Sequence, residues 1–113
     1  MQVIFESRDP EAVQLKPVAE RRVRQALRRL NWLAPHARVR LTDVNGPRGG
    51  IDKHCQIELS SNSMSPVVVT SMARDWRSAL QNAVARAARA LLNNWQRTRQ
   101  VRRIARPTRA LGS

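Results

Sequence analysis

Cysteine occurs once in these 113 residues, as Cys55, which forbids an intramolecular disulfide and leaves no basis for a cysteine-rich zinc site. Tyrosine is absent and phenylalanine appears once, so with Trp32, Trp76 and Trp95 as the remaining aromatics the core has to be mostly aliphatic. No apolar run approaches the ~20 residues of a membrane span, and Met1 to Glu6 carry no basic-then-apolar leader. These features predict a protein of the reducing cytoplasm without membrane attachment. Acidic residues number eight, and none follows Asp75. No paired carboxylates stand in a suggestive context, and no nucleophile, base and acid fall at a recognisable spacing, which argues against an enzyme and against a small-molecule substrate. His36, His54 and Cys55 make no convincing metal site, because neighbours in a strand point to opposite faces and no second His-Cys cluster exists. No metal and no cofactor are expected.

What the chain has in abundance is arginine. Lys+Arg is 21 against 8 for Asp+Glu, giving a net charge of +13 and a pI of about 12.0. Lys16 and Lys53 are the only lysines, so the charge is carried by planar guanidinium groups suited to bidentate phosphate contacts and to stacking. The partner to expect is a polyanion, with RNA the first candidate. A hydrophobic fraction of 42% is enough for a compact core, and the length fits one domain.

Residues 2–7 read as a short strand with Val3 and Phe5 on one face, ended by Arg8-Asp9-Pro10. Leu15, Ala19, Val23, Ala26, Leu27 and Leu30 then form one stripe at helical spacing, with Pro17 tolerable in the first turn. Residues 37–44 alternate, Val39 and Leu41 on one side and Arg38, Arg40 and Thr42 on the other, as in a half-buried strand. The turn from Asn45 to Gly50 holds three of the four glycines, after which Cys55, Ile57 and Leu59 alternate with His54, Gln56 and Glu58 to complete a hairpin. A polar turn over 60–65 leads to the β-branched run Val67-Val68-Val69-Thr70, a fourth strand. From Asp75, well placed as an N-cap, the positions Trp76, Ala79, Leu80, Ala83, Val84, Ala87, Leu91 and Trp95 repeat at three and four and predict a long helix. The pattern degrades beyond about Gln100, so residues 1–100 are expected to be the folded domain and 101–113 a basic tail without structure of its own.

The order β-α-β-β-β-α predicts an α+β two-layer sandwich, a four-stranded mixed sheet with two helices on one face. The helical crossover allows the first two strands to be parallel, and short turns make the other pairs antiparallel. Nine arginines follow Asp75: Arg77, Arg86, Arg89, Arg97, Arg99, Arg102, Arg103, Arg106 and Arg109. On the first helix Arg21, Arg24, Arg28 and Arg29 fall on the outward half with Arg22 at its flank and Glu20 as compensation. Arg21, Arg22, Arg24, Arg28, Arg29, Arg86, Arg89, Arg97 and Arg99 are therefore the candidate RNA-binding residues, a stripe across both helices tracking a phosphate backbone. The apolar stripe favours burial of Trp76 and Trp95, whereas Trp32 is open to packing or to stacking on a base. The Asn45 to Lys53 loop does not have phosphate-loop spacing and joins two strands, so it reads as a hairpin turn with Arg48 and Lys53 as auxiliary RNA contacts.

The element order, the basic helix ending Ala26-Leu27-Arg28-Arg29-Leu30, and the segment Asp75-Trp76-Arg77-Ser78-Ala79-Leu80 together resemble the ribosome hibernation promoting factors, also called ribosome-associated inhibitors or sigma-54 modulation proteins. The similarity spans about residues 2–100, and Arg86 and Arg89 stand where that family carries basic residues. Arg77 stands in place of the usual tyrosine, Gln81 in place of an acidic residue, and the Asn45 to Gly50 turn is longer than usual. The resemblance implies a double-stranded-RNA-binding-like fold, in a short form without the dimer-forming second domain. It also implies binding to 16S rRNA of the bacterial small ribosomal subunit, in the channel for messenger and transfer RNA. Translation would be inhibited reversibly and ribosomes hibernated under stress, as in stationary phase. Off the ribosome a monomer is expected. Two other readings of the residues stay open: a general RNA-binding protein or chaperone, and a protein-interaction module whose sheet face, with Arg38, Arg40, His54, Gln56 and Glu58, takes an acidic partner.

Overall fold

The computed structural model describes residues 1–44, 51–61 and 65–112, with side chains through Arg97. Strands β1 (Gln2–Ser7), β2 (His36–Asp43), β3 (Lys53–Ser60) and β4 (Val67–Ala73) form one sheet in that order. Helices α1 (Pro10–Val13) and α2 (Lys16–Ala26), with a 3-10 turn over Arg28–Leu30, connect β1 to β2, and α3 (Trp76–Gly112) follows β4. β1 and β2 are parallel, Phe5 opposite Val39, as the helical crossover requires. The other pairs are antiparallel, with Val39 opposite Ile57 and Ile57 opposite Val69.

Alternation decides which face is covered. Ala37, Val39, Leu41, Cys55, Ile57 and Leu59 are buried under the helices, while His36, Arg38, Arg40 and Thr42 point to the open face. Ala19, Val23 and Leu27 of the first helical segment and Ala79, Leu80, Ala83, Ala87 and Leu91 of α3 close the core from above. At the sequence spacing of these residues each helix commits one stripe and leaves the rest of its surface wet. The expected α+β sandwich, with both helices on one face of a four-stranded mixed sheet, is the observed architecture.

The first helical region is less continuous than its periodicity predicts. Asp9 caps the single turn α1 by accepting from the Glu11 amide at 2.9 Å, and Pro10 suits a first-turn position. Pro17 cannot donate to the Val13 carbonyl, so the chain breaks and restarts as α2. At the far end Leu27 leaves helical geometry (φ −106°, ψ 15°), and the Leu30 and Leu33 amides bond three residues back to Leu27 and Leu30 at 2.9 Å. Ala26, at the margin of the stripe, is exposed, and Leu30 only half-buried.

Two further elements outrun the sequence reading. β4 continues past Thr70 through Ala73, because Ser71 to Ala73 complete the ladder against Cys55, His54 and Lys53. The helical backbone of α3 extends through 101–112, beyond the point where the apolar pattern degrades; the arginines, alanines and leucine of that stretch are good helix formers. The turn at Asn45 to Gly50, with Arg48, and residues 62–64 of the second turn lie outside the described residues, as does Ser113.

Candidate nucleic-acid interface

Positive charge is not shared between the two faces of the sandwich. On the open sheet face Arg38 and Arg40 are met by Glu6 and Glu58: Arg38 Nε lies 3.5 Å from a Glu6 oxygen, Arg40 donates to Glu6 at 3.0 Å, and Glu58 is the cross-strand neighbour of Arg38. Two arginines against two glutamates leave that face near neutral, with Ile4, Val68 and Met72 exposed on it. An acidic partner thus finds less free charge there than a count of basic residues implies.

The helical layer carries the excess. Burial of Leu15, Ala19, Val23 and Leu27 turns Arg21, Arg24, Arg28 and Arg29 to solvent and leaves Arg22 half-buried at the flank. Glu20 lies 3.8 Å from Arg24 one turn away, an exposed pair that neutralises little. On α3 the Asp75 carboxylate accepts from the Ser78 amide at 2.7 Å and from the Ser78 hydroxyl at 2.9 Å, which starts the helix and fixes its rotation. These bonds hold the Asp75 carboxyl below its ordinary range, the Ser78 amide bond being the largest cause. With the core stripe thereby fixed, Arg86, Arg89 and Arg97 are exposed.

These arginines do not form one straight stripe. Arg86 Nη1 donates to the Thr70 carbonyl at 2.7 Å, so its side chain reaches over the β4 edge of the sheet. Trp95, about two and a half turns further on, projects from the opposite side of α3. There it meets Trp32 just beyond the 3-10 turn, with ring centroids 5.7 Å apart and planes at 88°. The arginines of α2 and its turn therefore stand on the Trp95 side of α3, Arg86 on the β4 side, and Arg97, about three turns beyond Arg86, on the same side as Arg86. The basic surface wraps over α3 instead of running between the helices. The side chain of Arg99 lies outside the described residues.

Lys53 is not a free contact at a hairpin tip. Its ammonium bonds Asp43 at 2.8 Å, lies 3.4 Å from Asp52 and sits 5.3 Å from the Trp76 ring centroid. The bond to Asp43 raises its pKa. Asp52, unremarkable as a turn residue in the sequence, is fully buried here, and Trp76 is buried as its place in the stripe predicts. Trp95 is half-buried, whereas Trp32 is 63% exposed. The Trp32–Trp95 contact was not foreseen, since residues so far apart in the chain share no local signal.

Cys55 lies in the core between strand neighbours, and burial pushes its thiol up to about 12. Among the described residues no group of three or more His, Cys, Asp or Glu side chains could hold a metal ion, and no helix is long and apolar enough to cross a membrane. An open depression of about 900 Å³ at the ends of β1 and β2 is lined by Phe5, Arg8, Arg40 and Asp43 among others. It mixes both signs of charge, and the Ser7 hydroxyl within it donates to the Leu41 carbonyl at 2.9 Å.

No family model and no curated protein matches the chain. Among solved structures it is similar to the crystal structure of the Thermus thermophilus Protein Y N-terminal domain, at 20% identity and a TM-score of 0.55, over 80% of this chain and 96% of that one. At this identity the likeness is one of fold: the chain has the four-stranded, helix-covered sandwich of the Protein Y N-terminal domain.

Proposed function

We propose that the chain is a ribosome-associated translation inhibitor of the hibernation promoting type, a non-catalytic cytoplasmic protein that binds small-subunit 16S rRNA in the messenger and transfer RNA channel. The observation that carries this reading is the placement of the arginine excess on the helical layer of a Protein Y-like fold, opposite a sheet face whose charges cancel. The fold is that of the Protein Y N-terminal domain, and the Ala26–Leu30 and Asp75–Leu80 segments resemble the ribosome hibernation promoting factors. Arg21, Arg22, Arg24, Arg28, Arg29, Arg86, Arg89, Arg97 and Arg99 are the residues assigned to RNA. In this reading phosphate contacts displace condensed counterions, which supplies most of the affinity and steers association. Residues 1–100 serve as the domain that docks, since the buried stripe of α3 runs to Leu91 with Trp95 packed at its margin.

Charge reversal at Arg28 and Arg89 tests the assignment. Small-subunit binding is expected to fall steeply in that double variant, and wild-type affinity would overturn it. A general RNA-binding protein is the second reading, favoured by a basic surface that wraps over α3 on exposed arginines, which phosphates of any sequence can meet. Competition separates the two: excess bulk RNA displaces a general binder from ribosomes and leaves a ribosome-specific one in place.

A further inference from the structure

Trp32 is the most exposed large apolar side chain among the described residues, and it is nonetheless held in place. Its chain neighbours Leu33 and Ala34 are buried, at 5% and 2% exposure, so the backbone beneath it is anchored in the core. Its indole N–H donates to the Arg29 carbonyl at 3.1 Å, which uses the ring's one polar group. The edge-to-face contact with Trp95, centroids at 5.7 Å and planes at 88°, restrains the ring a second time. What remains in solvent is aromatic carbon. Arg28 and Arg29, both exposed, stand in the turn immediately before it.

A rigid aromatic plane beside two guanidinium groups has a specific chemical complement: a planar ring joined to a negative charge. An apolar protein partner would find the ring bordered by Arg28, Arg29 and Asn31, groups costly to desolvate. An unpaired nucleotide meets both requirements, since its base has a π face and its phosphates accept from arginine. We propose that Trp32 is a stacking platform for an unpaired RNA base, with Arg28 and Arg29 holding the phosphates on either side. The proposal rests on the RNA-binding reading and adds to it a preference for single-stranded or bulged RNA over a continuous duplex, whose bases are stacked and inaccessible. Because the indole N–H is already engaged, the platform reads stacking and not base identity.

The test compares wild type with Trp32→Ala and Trp32→Phe on a ten-nucleotide single-stranded RNA and on a blunt RNA duplex of that length, each over a salt series. Trp32→Ala is expected to weaken single-strand binding by about 5- to 150-fold, the range for loss of one stacked base. The salt slope should stay unchanged, because no phosphate contact is removed. Trp32→Phe should restore most of the loss, and duplex binding should change little. Equal affinity of Trp32→Ala and wild type for the single strand would overturn the proposal while leaving the RNA reading intact. Equal losses on single strand and duplex would also overturn it. Failure of the wild-type protein to bind either RNA would instead remove the RNA reading itself, and the platform with it.

Discussion

Arg86 donates from Nη1 to the backbone carbonyl of Thr70 at 2.7 Å, tying the middle of α3 to the outer strand of the sheet. An arginine in the family-like position is thus also a clasp between the two layers. The bond explains why the basic surface wraps α3: one guanidinium is drawn toward β4 while those of the first helix stay on the far side. Arg86→Ala is expected to lower unfolding stability by about 0.5 to 1.5 kcal/mol, whereas Arg89→Ala, at an exposed position on the same helix, should stay within about 0.5 kcal/mol of wild type. Urea titration of both variants checks this. Equal stabilities would mean that the clasp contributes nothing in solution.

The Asp75 cap makes a prediction in pH. Its carboxyl is held below the ordinary value of 3.8 by bonds that the ionised form accepts more strongly than the neutral one, so this added stabilisation is present above that value and is lost as pH falls through the lowered one. Asp75→Ala should melt at a lower temperature than wild type at neutral pH, with the gap closing below about pH 3.8. Asp75→Asn, which keeps an acceptor for the Ser78 amide but has no comparable titration, should retain much of the stability across that range. A gap between wild type and Asp75→Ala that is constant with pH would show that the carboxylate bonds are not the cause.

Cys55 offers a chemical probe of the core. With its thiol buried and pushed up to about 12, the folded protein should react with thiol reagents at pH 8 only on the timescale of unfolding. Denaturant should expose it at once. Rapid labelling of the native protein would contradict the burial of β3 beneath the helices.

Packing sets the scale of the fold's tolerance. Leu80 is fully buried where α3 crosses the sheet, and Leu27 closes the end of the first helical segment. Leu80→Ala should cost about 2 to 5 kcal/mol, a large share of the stability of a domain this size. Denaturant unfolding checks it, and a cost below that range would show that the helix layer packs more loosely than the burial of its stripe indicates.

Much of this architecture was legible because period-two and period-3.6 patterns are strong where one face is buried, as in Val39-Leu41, Cys55-Ile57-Leu59 and the stripe from Ala79 to Leu91. The cap at Asp75 was legible for the same reason: its signal is local. What escaped depended on distance in the chain or on single turns. α1 is too short to show a period, and the tightening after Ala26 follows from backbone geometry at Leu27. The sequence could place Arg86 on the exposed side of its helix, but its reach to Thr70 requires knowing that β4 is an outer strand. Lys53 reads as a hairpin cation in the sequence, and only the burial of Asp52 and the proximity of Asp43 show its charge to be paired. Trp32 could be left open to two roles by sequence, and its exposure and its contact with Trp95 separate it from the buried Trp76.

Everything proposed for the arginine surface depends on its recognising the small ribosomal subunit. Sedimentation of the purified protein with ribosomes through sucrose, over a salt series, tests it most directly, since each phosphate contact adds about 0.7 to 0.9 to the slope of log K against log salt. Saturable one-to-one binding to the small subunit is expected, persisting near physiological salt and lost on charge reversal at Arg28 and Arg89. Diffuse, multi-copy binding that vanishes with modest salt would contradict it and leave a general RNA binder with a Protein Y-like fold.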